Sequence, residues 1–183
     1  MLEIPVELGA RRYTISVGHG LSRLLPDLLA GLRGRKVLLV VSRRVAALHG
    51  HGVERSLRGL GAVRVVLVPD GERFKSRSTL ETVYDALLEA RLGRDGLVVA
   101  LGGGVVGDLA GFAAATWMRG VDWVGIPTTL LSMVDSSIGG KVGLNHAKAK
   151  NMIGAFHQPR AVVVDPSFLA TLPVRQLRSG AYE

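Results

Sequence analysis

Residues 97–120, LVVALGGGVVGDLAGFAAATWMRG, constrain this chain more than any other stretch. Leu97 to Leu101 is an apolar run long enough for a central strand and too short for a helix. Gly102, Gly103 and Gly104 follow it, and Gly107 with Asp108 opens a run of small residues, Ala110, Gly111, Ala113, Ala114 and Ala115, that predicts a helix. A strand that feeds a helix through bare backbone leaves unpaired N–H groups at the helix start. The helix dipole favours an anion there, above all a phosphate or pyrophosphate. Gly102, Gly104 and Gly107 fit G-x-G-x-x-G, with the strand before and the helix after that the pattern requires. Two features depart from an ordinary dinucleotide fold: the motif lies deep in the chain, and no acid closes the following strand, Asp122 falling at its start. A tight turn packed on a helix is the plainer alternative. Asp108, read as a first-turn carboxylate able to cap N–H groups or accept from a ribose, favours the ligand site.

The flanking segments set this turn in an α/β frame. Ile4, Val6 and Leu8, then Tyr13, Ile15 and Val17, alternate on either side of GARR and predict an opening β-hairpin. Leu21 to Leu32 predicts a short amphipathic helix with Pro26 near its first turn. KVLLVVS, Lys36 to Ser42, predicts a buried parallel strand whose end, Ser42, faces the ligand edge of an open sheet. Arg43 to Leu60 has helical spacing weakened by Gly50 and Gly52, Val63 to Val68 is the next strand, and Ser76 to Leu92 the next helix. Between them DGERFKS sets Asp70, Glu72 and Lys75 just past a strand end. Spacing alone favours a solvated loop there over a recognition turn. Trp123 to Ile126 is a further strand ending at Pro127, and Ala161 to Asp165 a last one. This alternation predicts a Rossmann-like, mainly parallel open sheet with helices on both faces.

After Pro127 the texture changes. Thr128 to Ser137 starts a helix with Thr128 or Thr129 as cap, and carries Asp135 into SSIGGK. VGLNHAKAKNMIGAFHQP then reads as a polar loop holding Lys141, Asn145, His146, Lys148, Lys150, Asn151 and His157. A long loop crowded with amides and cations is more often functional than idle, and Lys141 and Lys150 suit a phosphate or carboxylate. His146 and His157 lack helical pairing, so loop hydrogen bonding is the expected role rather than a metal pair.

Composition removes several function classes. The balance of 23 Lys and Arg against 15 Asp and Glu gives +8, but the arginines are scattered, there is no basic tract, and aromatics are 5%. Nucleic-acid binding is therefore not expected. Zero cysteine excludes disulfides and thiolate metal sites. The start MLEIPVEL carries no export signal and no apolar run is long enough to span a bilayer, so a cytoplasmic protein is expected.

DGERFK, LGGGVVGDLAGFAAATWMRG, PTTLLSMVDSSIGGKVGLNHAKAKNMIGAFHQP and TLPVRQLRSGAYE, running in order from Asp70 to the end, together resemble the N-terminal domain of the 3-dehydroquinate synthase family. The resemblance implies a lyase of the shikimate pathway to chorismate and the aromatic amino acids. Such an enzyme uses NAD and a divalent metal, zinc or cobalt, to convert 3-deoxy-D-arabino-heptulosonate 7-phosphate into 3-dehydroquinate and phosphate. By position it implies NAD contacts at Asp70, Gly71, Glu72, Arg73, Phe74 and Lys75, at Gly104, Val105, Val106, Gly107 and Asp108, and at Thr128 and Thr129. Lys141, Lys150, Phe168, Leu169, Ala170 and Thr171 match further NAD positions. Asp135, Lys141 and Asn151 match the substrate-side group, Arg119 an arginine reaching the substrate phosphate across a homodimer interface, and Glu183 the first metal ligand. It also implies an NAD-binding domain over residues 1–172, with residues 173–183 opening a truncated helical metal and substrate domain, and an inactive isolated chain. Ser42 stands where the family has Asp or Asn, and Ala147 and Ala149 where its loop carries Pro and Gly. Another sugar phosphate cyclase, or an iron-type alcohol or glycerol dehydrogenase, is the alternative.

Overall fold

Runs of Val, Leu and Ile too short for helices form the middle of a seven-stranded sheet in a computed structural model that describes all 183 residues. Its strands are β1 Leu2–Val6, β2 Tyr13–Val17, β3 Val37–Ser42, β4 Val63–Val68, β5 Leu97–Gly102, β6 Asp122–Pro127 and β9 Ala161–Val164, in the order β1-β2-β9-β6-β5-β3-β4. Only the opening pair β1–β2 is antiparallel; every other neighbour is parallel. Every residue of β3 and β5 is buried, which requires cover on both faces and explains why these runs are continuous rather than alternating. Leu39, Val41, Val99 and Leu101 pack on one face with Leu25 of α1 (Leu25–Leu28) and with Val53 and Leu57 of α3 (His51–Leu57). Leu38, Val40, Val98 and Ala100 pack on the other with Val83 and Leu87 of α4 (Arg77–Glu89) and Leu109 and Ala113 of α5 (Gly104–Thr116).

Local chemistry corrects three expectations. Leu21 to Leu32 is not one helix: a 3-10 turn Leu21–Arg23, α1 and a second 3-10 turn Ala30–Leu32 share it. Pro26 is the cause, since its ring and missing N–H stop a helix begun a turn earlier. After β3, Ser42 Oγ accepts from the Val45 N–H at 3.4 Å to start α2 (Arg43–Val45), and a π-helical turn Ala46–Gly50 leads into α3, at the weak middle the glycines announce. The helix after β5 begins at Gly104 rather than Gly107, because Gly103 is its cap and the N–H groups of Val106 and Gly107 bond back to the Gly103 carbonyl at 3.0 and 3.1 Å. Asp108 therefore lies in the second turn and caps nothing.

The largest correction is residues 141–156, expected as loop. They form an antiparallel hairpin of β7 Lys141–His146 and β8 Ala149–Phe156. Gly143 faces Gly154 across it, and a Cβ on Gly143 would stand 2.3 Å from the Ile153 carbonyl oxygen. The glycines that let the strands approach so closely read as loop residues in sequence, and a bulge between Leu144 and His146 breaks the alternation. Val142 and Leu144 are buried against α5, where a Cβ on Gly111 would meet the Val142 side chain at 2.4 Å. Sheet, α5 and hairpin thus make three layers, and the helix between them is buried on most sides, as its run of Gly and Ala requires.

Asp165, fully buried beyond β9, accepts from the N–H groups of Gly20 and Ser22 at 3.0 Å each and from the Ser167 hydroxyl at 2.6 Å. Burial pushes its carboxyl up, but these bonds outweigh that and hold it below the ordinary value, pinning the loop after β2 to the end of β9. At the C-terminus, α6 (Val174–Gly180) packs Gly180 on the backbone of Leu131. No helix is long and apolar enough to cross a membrane.

The glycine facing in the hairpin makes a stability prediction. Gly143→Ala is expected to cost about 2 kcal/mol or more in urea unfolding, because backbone must move to admit the methyl group. Gly31→Ala, in open space on the surface, is expected to stay within about 0.5 kcal/mol of wild type.

Candidate functional site

β3 leads to β4 on one side and its other neighbour, β5, leads to β6 on the far side, so the connections leave the two adjacent strands in opposite directions and open a crevice at their carboxyl ends. A cleft of about 410 Å³ lies along that edge. Ser42 and Arg44 after β3, Asp70 and Gly71 after β4, Gly103 to Val106 after β5, Thr128 and Thr129 after β6, and Phe168 and Thr171 after β9 line it. Gly71 has φ +109, a conformation that a side chain would strain. Asp70 Oδ2 accepts from the Arg44 N–H at 3.1 Å, joining the turns after β3 and β4.

The glycine turn forms the floor. Cβ atoms on Gly102, Gly103 and Gly104 would lie 2.7 Å from Val106, 3.0 Å from Thr129 and 2.9 Å from Ser136 Oγ, so close approach rather than backbone handedness excludes side chains here. The N–H groups of Gly104 and Val105 have no intrahelical acceptor, and Gly103 has no side chain to cap them. Ser136 Oγ, buried at the end of a π-helical turn Ser132–Ser136, also lacks a partner. Thr129 and Ser132 cap each other's N–H groups at 3.2 Å and fix the start of that turn. Free amides on bare backbone at the switch point of a parallel sheet fit the pyrophosphate of a dinucleotide.

A second cleft, of about 480 Å³, gathers Lys75, Asp108, Asp135, Lys141 and Asn151 beside the hairpin. Lys75 is buried, and its Nζ pairs with Asp108 and donates to Asn151 Oδ1. Burial raises the Asp108 carboxyl above its ordinary value even though Lys75 pulls the other way, so desolvation outweighs attraction in this pair. A buried charged pair lining a cleft makes this a candidate site.

The structure brings most of the expected residues to one of the two clefts. Gly107 borders a small hollow behind the glycine turn, and Glu72, Arg73 and Phe74 form the turn between the clefts, where Arg73 stacks on the Phe74 ring. Leu169, Ala170, Lys150, Arg119 and Glu183 line neither cleft. His157 and His146 spend their rings on Val121 and Lys148, as loop hydrogen bonding requires. Sequence reasoning passed over Arg44 and His49. The π-helical turn sets His49 in the wall of the first cleft, edge-on to Phe168 and 2.8 Å from Thr171 Oγ1. Burial lowers its imidazole below the ordinary value against the pull of Asp165. The residues of this chain do not fit a metal centre: no three His, Asp or Glu come together, and Glu183 stands exposed at the end.

Comparison with known proteins adds independent findings. A family profile described as "3-dehydroquinate synthase N-terminal" matches residues 65–179. The 3-dehydroquinate synthase of Azotobacter vinelandii is 52% identical over 183 residues, covering 100% of this chain and 50% of that protein. This chain spans about half the length of the curated relatives it matches. Its fold is similar to that of 2-deoxy-scyllo-inosose synthase complexed with carbaglucose-6-phosphate, NAD+ and Co2+, at TM-score 0.92 and 24% identity over 98% of this chain and 49% of that one. It is similar at TM-score 0.84 and 32% identity, over 99% of this chain and 49% of the other, to ValA, the 2-epi-5-epi-valiolone synthase of Streptomyces hygroscopicus subsp. jinggangensis with NAD+ and Zn2+ bound.

The raised Asp108 carboxyl couples folding to proton uptake. Its stabilising contribution is absent above the folded pKa and grows as pH falls towards the ordinary carboxylate value. The stability of wild type minus that of Asp108→Asn is therefore expected to rise on acidification from neutrality to about pH 4, read from urea midpoints. A difference that does not change with pH contradicts the buried placement.

Proposed function

Because this chain belongs to the 3-dehydroquinate synthase N-terminal family, we propose that it is the nucleotide-binding part of a 3-dehydroquinate synthase, with residues 1–172 holding NAD and residues 173–183 leading into a second unit. The observation that carries this reading is the pair of free amides, Gly104 and Val105, at the switch point of the sheet beside a charged second cleft. In it the two N–H groups hold the pyrophosphate, Thr128 and Thr129 flank it, and Asp70 offers an acceptor to a ribose. Phe168, Thr171 and His49 wall the first cleft. Leu169, Ala170, Arg73 and Phe74 serve as backing for these contacts. The reading accords with the NAD+ bound in the similar ValA structure; the division of nucleotide and anion between the two clefts rests on the residues that line them.

Bound NAD would supply a reversible hydride acceptor for a substrate carbinol, and the carbonyl so gained would acidify the neighbouring C–H whose loss lets phosphate leave by elimination. The chain's own residues bind and orient. Lys75 and Lys141 supply point charges for an anionic substrate, and Asp108 neutralises Lys75 so that the cleft is not overcharged. Asn151 spends its Oδ1 on Lys75 and keeps an amide N–H pair to donate to a substrate hydroxyl. Asp135 faces the same space as an acceptor. Lys150 and Arg119, both exposed, are assigned to closure over the ligand and to the substrate phosphate of a homodimer partner. Glu183 amounts to a single metal ligand, so a catalytic metal requires the rest of its shell from outside this chain.

Titration of the chain with NAD is expected to show saturable binding, weakened at least about tenfold by Gly104→Val, whose side chain fills the turn. A folded wild-type chain that binds no NAD contradicts the reading. Phosphate release from 3-deoxy-D-arabino-heptulosonate 7-phosphate by this chain alone is expected to be undetectable, and clear turnover would show that the chain is catalytically self-sufficient.

A further inference from the structure

The bulge in the hairpin carries a further assignment, which rests on the nucleotide reading above. Leu144 pairs with Ile153 and His146 with Ala149, so Asn145 alone faces Lys150, Asn151 and Met152. Such an excess on one strand interrupts the ladder and re-aims side chains, and bulges gather beside functional sites for that reason. Asn151 lies in the excess with φ +57, left-handed backbone that asparagine tolerates better than most residues.

Asn145 meets three partners there. Its backbone N–H donates to the Lys75 carbonyl at 2.8 Å, its Nδ2 donates to Glu72 Oε1 at 2.8 Å, and its Oδ1 accepts from the Asn151 N–H at 2.9 Å. The two ends of the amide are distinguished by those partners, since only the oxygen can accept from an N–H and only the nitrogen can donate to a carboxylate. Asn151 in turn accepts from Lys75 Nζ through its own Oδ1, and Lys75 pairs with Asp108 of α5. One side chain that touches neither cleft thus joins the DGERFK turn, the bulged strand and the buried charge of the second cleft.

We propose that Asn145 is a positioning residue: its amide replaces the ladder bond lost at the bulge, holds Asn151 in the left-handed conformation that aims it at Lys75, and ties Glu72 to the same strand. Asparagine serves both bonds at once. Aspartate would keep the acceptor for Asn151 but set a like charge against Glu72, and leucine would remove both bonds.

Two readouts separate this role from simple support of the hairpin. In amide exchange followed by NMR, Asn145→Leu is expected to speed exchange of the Asn151 N–H at least about tenfold while amides of Val142 and Leu144 keep their protection, and Asn145→Asp is expected to leave the Asn151 N–H protected. In NAD titration, Asn145→Asp is expected to weaken binding about tenfold, and adding Glu72→Gln, which restores a donor and acceptor in reversed order, is expected to bring affinity back to within about threefold of Glu72→Gln alone. Unchanged Asn151 exchange in Asn145→Leu, or a double variant no tighter than Asn145→Asp, overturns the proposal. If the wild-type chain binds no NAD, the nucleotide reading falls on that result and Asn151 exchange alone decides the role of Asn145.

Discussion

The layers of this chain close only because α5 carries so little side chain. Its residues from Gly104 to Ala114 include two further glycines and three alanines, and the helix is pressed between the sheet on one side and a glycine-paired hairpin on the other. A larger residue at Gly111 would meet Val142, and one at Gly104 would meet Ser136. The same economy lets the first two turns of the helix reach both clefts. Its first residues present free amides to the first cleft, while Asp108, about one turn on, reaches the buried lysine of the second. In the proposed function, nucleotide and anion are therefore held in register by a single rigid element, which is how a site keeps its geometry.

Stability and function pull against each other at Lys75. A lysine buried to that degree, facing a carboxylate that burial has pushed up, is a poor way to stabilise a fold. In the proposed function its use lies in the charge it keeps ready for an anion. Asp165 is the contrasting case: its carboxylate receives enough donors for hydrogen bonding to outweigh burial, lines neither of the two clefts, and fastens β9 to the loop after β2. The two shifts run in opposite directions because hydrogen bonds prevail over burial at Asp165 and burial prevails at Asp108.

The sheet was legible because buried parallel strands announce themselves as short continuous apolar runs, and β3, β5, β6 and β9 do so within a residue or two of their observed bounds, while the edge strand β4, interrupted by Arg64, is still rich enough in valine to be read. The glycine turn was legible for the same reason, since little else places so many glycines between a strand and a helix. The hairpin was not. Gly143 and Gly154 are there for close approach, yet glycine signals a loop wherever its partner is unknown, and the bulge removed the alternation that would have corrected the reading. His49 was missed because a π-helical turn changes which side of a helix a residue faces, and helical spacing in sequence assumes the ordinary turn. Asn145 was visible as one amide among several. Its three partners come from segments some seventy residues apart and from across a bulge, and no local pattern encodes them.

The most direct test of this account is to map, amide by amide, where NAD perturbs the backbone in two-dimensional NMR spectra of the chain. The largest changes are predicted at Gly103, Gly104, Val105 and Val106, with smaller ones at Ser42, Gly71 and Thr129 along the same strand edge. Changes confined to the hairpin or the exposed edge strand β1, with Gly104 and Val105 unmoved, would contradict the claim that the glycine turn after β5 is the phosphate cradle around which the molecule is built.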